Sequence, residues 1–271
     1  MKATVLVDNT PGCGLGGEWG LSIYIEYEDR RILLDTGASG LFLKNAEKLG
    51  LDIRAVDYAV LSHAHYDHAD GMENFFRAND KACFYLRTGS GENCYTKVWI
   101  FHKYIGMPRH ILERFKDRVV FAEGDYALCP GVKLVPHKTA GLAEIGKRNR
   151  MYVRDVSGWH PDDFAHEQSL VFETDSGLVI FNSCSHGGAD NIIREVMETY
   201  PGQKVKAIVG GFHLFGRPST DVRALARRIR DTGVEAVYTG HCTGEGAFQI
   251  LREELGQTVH PLSVGTVIEV E

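Results

Sequence analysis

The stretch Leu61-Ser62-His63-Ala64-His65-Tyr66-Asp67-His68-Ala69-Asp70-Gly71 constrains this chain more than any other. It places three histidines and an aspartate between residues 63 and 68. The run before it, Val56-Asp57-Tyr58-Ala59-Val60-Leu61, reads as a buried strand. Neutral imidazole and carboxylate are the ligands that suit zinc, manganese and ferrous iron. In extended backbone His63 and His65 point to the same side, because side chains alternate. Where the chain turns into a helix, Asp67 and His68 swing toward a second position beside the first. Twelve histidines in 271 residues is somewhat high, but chance scatter does not produce HxHxDH directly after an apolar strand.

Further segments follow short apolar runs in the same way. They are Ile32-Leu33-Leu34-Asp35-Thr36-Gly37, Ser183-Cys184-Ser185-His186-Gly187-Gly188, Gly210-Gly211-Phe212-His213-Leu214 and Thr239-Gly240-His241-Cys242-Thr243-Gly244. With HxHxDH, they resemble the motifs of the metallo-β-lactamase superfamily. A narrower set adds Asn9 and Glu18-Trp19-Gly20-Leu21-Ser22. That set is similar to a subfamily named after 7,8-dihydropterin-6-yl-methyl-4-(β-D-ribofuranosyl)aminobenzene 5'-phosphate synthase, whose members are often described simply as metal-dependent hydrolases. The resemblance runs from about residue 5 to the end.

The resemblance implies an α+β fold, the αββα sandwich, with two facing mixed sheets and helices on both outer sides. It implies one domain over 1–271 and one or two divalent transition metals, zinc first, with manganese or iron as alternatives. His63, His65 and His186 are the expected ligands of the first metal, and Asp67, His68 and His241 of the second. Asp35 is expected behind the ligands, orienting a histidine through its other ring nitrogen. Many members carry a bridging aspartate on the strand before the third motif. Here that strand ends Phe181-Asn182-Ser183-Cys184, so the aspartate is missing. Cys184 or His186 then takes over, or the second position is weaker. His166 is another candidate third ligand, ranked below His186. Cys242 reads as a small buried filler. A bound metal lowers the pKa of water, so metal-bound hydroxide is the expected nucleophile. Asp67 doubles as proton acceptor, and His213 is a further inner or substrate-facing candidate.

Composition fits an ordinary globule, at 44% hydrophobic and 24% charged. A net charge of −6 gives no basic footprint, so nucleic acid is not the expected partner. The resemblance implies a small-molecule partner, anionic in type, and no membrane. A homo-oligomer stays open. The N-terminus lacks a secretory apolar region, and no run approaches membrane-spanning length, which points to the cytoplasm. The six cysteines, at 13, 83, 94, 129, 184 and 242, form no CxxC pair and read as reduced thiols.

Along the chain, strands are expected over 5–7, 21–27 and 31–34. Ser39 caps a helix over 40–49, and another helix begins near Gly71 and runs through Phe75 and Phe76. A hairpin is expected over 169–173 and 178–182, with helices over 190–199, 221–232 and 246–255. Residues 81–167, rich in aromatics, read as a family-specific insert that walls the site. Within it Lys147, Arg148 and Arg150 either grip an anion or form a solvated loop. The glycine-rich start over 11–17 reads as a loop lining the site, not a phosphate loop.

Three functions remain open. The first is hydrolysis of a small phosphoester, lactone or thioester. The second is the pterin transfer of the subfamily name, condensing a dihydropterin-methyl diphosphate with an arylamine ribose phosphate. The third is a non-catalytic or redox metal sensor. Iron oxygen reductases of the superfamily usually have Glu where His65 stands, which counts against the redox form. No GxSxG occurs, so serine hydrolysis has little support.

Overall fold

The computed structural model describes residues 1–271. Two seven-stranded sheets face each other, and helices cover both outer faces. The first sheet runs, neighbour to neighbour, Val267–Glu269, Lys2–Val7, Ser22–Tyr27, Arg30–Leu34, Tyr58–Val60, Phe84–Arg87 and Val119–Ala122. The second runs Val259–Pro261, Ala236–Thr239, Val205–Gly210, Gly177–Phe181, Gln168–Thr174, Val132–Pro136 and Tyr126–Cys129.

The period-two pattern explains the layering. Ile23, Ile25, Ile32 and Leu34 face inward and meet Leu170, Phe172, Val179 and Phe181 from the opposite sheet. The alternate residues Tyr24 and Leu33 point outward, against Phe42 and Ala46 of the helix Leu41–Lys48 and Phe75 of the helix Met72–Ala78. Likewise Leu178 and Ile180 pack on Ile192, Ile193 and Val196 of the helix Ala189–Thr199. Both faces of the central strands are buried, so they read as continuous apolar runs. Phe75, Phe172 and Phe181 are fully buried, each stabilising by roughly 1.5–3 kcal/mol relative to exposure. No helix is long and apolar enough to cross a membrane.

Strand direction gathers the motifs. In the first sheet Arg30–Leu34, Tyr58–Val60 and Phe84–Arg87 run parallel. In the second, Gly177–Phe181, Val205–Gly210 and Ala236–Thr239 run parallel. Their carboxyl ends therefore share one rim of each sheet, and Asp35, His63, Ser183, His213 and His241 all follow such ends.

Three local readings change. Residues 81–167 do not form one insert. Phe84–Arg87 and Val119–Ala122 extend the first sheet, and Tyr126–Cys129 and Val132–Pro136 extend the second. Only Cys94–Val98, Phe101–Tyr104, Met151–Asp155 and Gly158–Pro161 form a separate four-stranded sheet. The polar run containing Lys147 and Arg148 is not a loop but the end of the helix Leu142–Arg148, whose Leu142 and Gly146 are buried. His63 lies in a bend rather than a strand, whereas His65 keeps extended backbone and bridges to Gly106. A helical turn, Tyr66–Ala69, follows at once. Gly71 lets this turn reach the next helix, since a Cβ there would collide with the Thr36 carbonyl oxygen.

Candidate metal centre

The bend and helical turn after Val60 bring His63, His65, Asp67 and His68 to the rim, where His186 and His241 arrive from the second sheet. One group joins His63, His65 and His186, and another joins Asp67, His68 and His241, with donor atoms in each within 4.8 Å of one another. Ring centroids lie 4.6 Å apart for His63 and His65, 5.0 Å for His63 and His186, and 4.9 Å for His68 and His241. The His63 and His68 rings, 4.2 Å apart, join the two groups.

The hydrogen-bond partners fix which ring nitrogens face the centre. Asp35, fully buried, accepts from the Ser62 N–H at 2.7 Å, Ser62 Oγ at 2.7 Å and Ser183 Oγ at 2.5 Å. Its Oδ2 also lies 2.8 Å from His68 Nδ1. A carboxylate only accepts, so His68 carries its proton on Nδ1 and turns Nε2 inward. Ser62 Oγ spends its hydrogen on Asp35, so His63 Nδ1, 2.8 Å away, must donate to it. His63 Nε2 then presents a lone pair. Asp35 thus orients one ligand candidate of each group. Asn9 Oδ1, 2.9 Å from His241 Nδ1, does the same for His241, whose N–H donates to Asp8 Oδ2 at 3.0 Å.

The facing nitrogens lack partners. His63 Nε2, His65 Nε2 and both ring nitrogens of His186 are buried without a hydrogen bond. Unpaired buried polar atoms are costly, and four of them in one group of rings fit a cation. Burial and neighbouring imidazoles push His63 and His186 well below the ordinary histidine range, and burial with His166 pushes His65 down to about 3. These rings are neutral at physiological pH, the form that ligates a metal. In the second group, burial raises the Asp67 carboxyl, but the His68 and His241 rings outweigh it and hold Asp67 below the usual carboxylate range. His241 rises to about 9; burial opposes this, and Cys242 and Asp67 favour it.

His166 groups with His65, Cys94 and Asp162 rather than with His186. Its Nδ1 accepts from the Ala64 N–H at 3.2 Å, and its Nε2 lies 3.0 Å from Asp162. Both nitrogens are occupied, whereas those of His186 are free. Cys184 lies 3.3 Å from His68 Nε2, where the bridging aspartate is missing. Cys242 is more than filler. Its sulfur lies 3.4 Å from that of Cys184, both thiols being free, and accepts from the His213 N–H at 3.2 Å. His213 rests 4.5 Å from His186 between ring centroids, with its Nδ1 unpartnered. Of the three basic candidates, only Arg148 lines a cavity shared with His186 and His213. Lys147 and Arg150 are exposed elsewhere.

The backbone is strained here. Asp35, Ser185, His213 and His241 hold φ values of +58°, +50°, +46° and +47°. Such conformations cost of order 1–3 kcal/mol each and persist where the surroundings over-determine them. A support that sequence reasoning missed lies beneath His186. Its N–H points at the Glu167 carboxylate, at 3.1 Å. His137 Nε2 lies 3.2 Å from Glu167, and its Nδ1 lies 3.0 Å from Glu195. Burial opposes the charge on His137, but the two glutamates prevail and push it up to about 10.

The cavity over the rings is walled by Trp19, Tyr66, Ile105 and Met151. Ile105 follows and Met151 begins strands of the separate sheet, so this part of 81–167 does border the site.

The sequence profile of the metallo-beta-lactamase superfamily matches residues 16–146. A curated relative from Methanocaldococcus jannaschii, 7,8-dihydropterin-6-methyl-4-(beta-D-ribofuranosyl)-aminobenzene-5'-phosphate synthase, is 25% identical, with 92% of this chain and 89% of that protein covered. The crystal structure of a metal-dependent hydrolase of the beta-lactamase superfamily superposes with a TM-score of 0.85 at 30% identity, covering 100% of this chain and 99% of the other. Zn2+-bound PqqB from Methylobacterium extorquens shares the fold alone, at 10% identity and a TM-score of 0.57, covering 100% of both chains.

Proposed function

Because this chain belongs to the metallo-β-lactamase superfamily, we propose that it is a metal-dependent hydrolase of a small anionic substrate, of phosphoester, lactone or thioester type. The observation that carries this is the set of buried, unpartnered imidazole nitrogens of His63, His65 and His186, beside Asp35, which presets the tautomers of His63 and His68. His63, His65 and His186 would hold the first metal, and Asp67, His68 and His241 the second. Zinc suits this donor set, as do manganese and iron. A divalent metal so held supplies Lewis-acid polarisation of a substrate oxygen and acidifies water near neutral pH.

The chain's own residues do the rest. Asp35 keeps His63 and His68 in the tautomers that face inward, so neither has to reorganise. Asp67, held ionised, takes up the proton that the attacking water gives away. His213 Nδ1, unpartnered beside His186, hydrogen-bonds the substrate. Trp19, Tyr66, Ile105 and Met151 keep bulk water from the reacting bond.

Pterin transfer is the second reading, and the name of the Methanocaldococcus relative favours it. The test is metal analysis of the purified protein, then reloading with zinc, manganese or iron. Phosphodiesters, lactones and thioesters are screened, and condensation of the pterin diphosphate with the arylamine is run beside them. Ester turnover that disappears together with bound metal in the His63→Ala/His65→Ala variant supports hydrolysis. Condensation without ester turnover replaces it with transfer.

A further inference from the structure

Two cavities share His186 and His213 as a common wall. One lies over the candidate metal ligands and is largely apolar in its lining side chains. The other is lined by Arg148, Asn149, Ser185, Arg217 and Arg228, and by the start of the helix Ala189–Thr199. We propose that this second cleft binds a phosphate group of the substrate, remote from the bond that is cut. As a statement about the substrate this rests on the hydrolase reading; as a statement about binding it rests on the cleft alone.

Two of the cleft's three arginines carry no ion pair. Arg148 is exposed and has neither a hydrogen bond nor an ion pair. The Arg217 guanidinium donates only to Asn149 Oδ1. Burial, and then the charge of Arg148, lower the pKa of Arg217, so the two cations sit close enough to repel. An anion between them removes that repulsion.

The counter-charges do not fill the role. Asp190 is tied to Arg228 Nε at 2.7 Å, and Asp221 on the rim offsets only part of the effect of burial and Arg148 on Arg217 and makes no ion pair. Three arginines therefore face two carboxylates.

An independent observation points to a ligand. Ser185 is 2% exposed, lines this cleft, and its Oγ has no hydrogen-bond partner. A hydroxyl rarely stays buried and unpaired without one. The eleven-residue helix Ala189–Thr199 also begins here, at Gly188, with no side chain capping its first N–H groups. A helix start adds backbone donors and a partial positive charge.

The donor set selects the ligand class. Two planar forks, one hydroxyl and a helix start offer more donors than a carboxylate has oxygens to receive. A phosphate monoester, with three terminal oxygens and close to two negative charges, matches them. The substrate is then bipartite. Its apolar, reacting part lies against Trp19 and Met151, and its phosphate lies past His186 and His213.

The test uses the full metal-loaded chain, titrated calorimetrically with inorganic phosphate. Arg148→Gln, Arg217→Gln and the double variant are compared with wild type. Asp67→Asn serves as the metal-side control, because phosphate can also sit on a metal. Arg148 has no partner, so its variant keeps the fold, and melting curves verify this for all. Each arginine variant should weaken phosphate binding by about tenfold, as expected for one charge-assisted contact, and the double variant should abolish it. Asp67→Asn should retain it. With an ester bearing a remote phosphate, Arg217→Gln should raise KM and leave kcat unchanged, and the same ester without phosphate should not respond. Wild-type phosphate affinity in the double variant overturns the proposal, as does loss of binding in Asp67→Asn alone. Arginine-dependent binding without turnover of any ester leaves this cleft standing and removes the hydrolase reading.

Discussion

Replacing Asp35 by Asn tests whether one buried carboxylate organises both ligand groups. Asp35 accepts four hydrogen bonds, from the Ser62 N–H, Ser62 Oγ, Ser183 Oγ and His68 Nδ1. The Ser62 N–H cannot rotate, so the amide oxygen of the variant stays on it. The new NH2 then faces the two hydroxyls and His68. Both hydroxyls can turn and accept. The His68 Nδ1–H cannot, unless its proton moves to Nε2, and that occupies the nitrogen needed for the metal. Once Ser62 turns to accept from the amide, its hydrogen points away from the carboxylate site, and His63 loses its fixed tautomer too. Disturbing a partner of this kind lowers metal affinity by roughly 10–100-fold, about 1.4–2.7 kcal/mol. One donor left unpaired in the core costs about 1–3 kcal/mol of stability. For a chain of this size that is roughly 2–4 °C of Tm per kcal/mol. The assay is metal titration of the stripped protein by calorimetry, with melting curves alongside. Both binding steps should weaken. Ser183→Ala is the control: it removes one donor, leaves both tautomers alone, and should keep metal affinity within about threefold while costing about 1 kcal/mol. If Asp35→Asn binds metal as tightly as wild type at both steps, the tautomer argument is wrong.

Metal titration should also show two unequal steps, the second weaker because the bridging aspartate is absent, with Asp67→Asn or His241→Ala abolishing only that step. Two equal steps that ignore both substitutions would count against this. The second step should release about one proton at neutral pH, from His241, whose pKa is raised to about 9, whereas the first takes up imidazoles that are already neutral. Calorimetry in two buffers of different ionisation enthalpy counts that proton, and its absence would sink the assignment. The buried His137–Glu195 pair should make stability pH-dependent. His137, raised from 6.5 to about 10, contributes fully below pH 6.5 and loses its contribution as pH rises through 10. Glu195, lowered from 4.5 to about 2, contributes above pH 4.5 and loses it as pH falls through 2. The Tm gap between wild type and His137→Gln should therefore be widest between those limits and shrink toward pH 10, and a gap that stays constant up to pH 10 would refute the pairing.

Legibility in the sequence follows the range of the interactions. HxHxDH was readable because its four side chains are brought together by six residues of local backbone, whatever lies elsewhere. The details of that logic differ, since a bend aims His63 while His65 alone keeps the extended backbone that was expected of both, and the helical turn carries Asp67 and His68. The layered fold was readable because apolar alternation is also local, and each strand of the central sheets carries its own pattern. Ser183 was not readable as a partner of Asp35. The two are 148 residues apart, and a serine after an apolar strand has no distinctive composition. His137 was lost for the same reason, since its glutamates come from the loop before Gln168–Thr174 and from the helix Ala189–Thr199. The division of 81–167 depends on parallel pairing of Phe84–Arg87 with Val119–Ala122, which no local pattern encodes. The arginines show the limit most clearly. Arg148 was legible as a candidate anion contact and Arg217 was not, and only the fold sets the two together beside an unpartnered Ser185. Chemistry held by neighbours in sequence can be read in advance. Chemistry held by the meeting of two sheets appears only when the chain is folded.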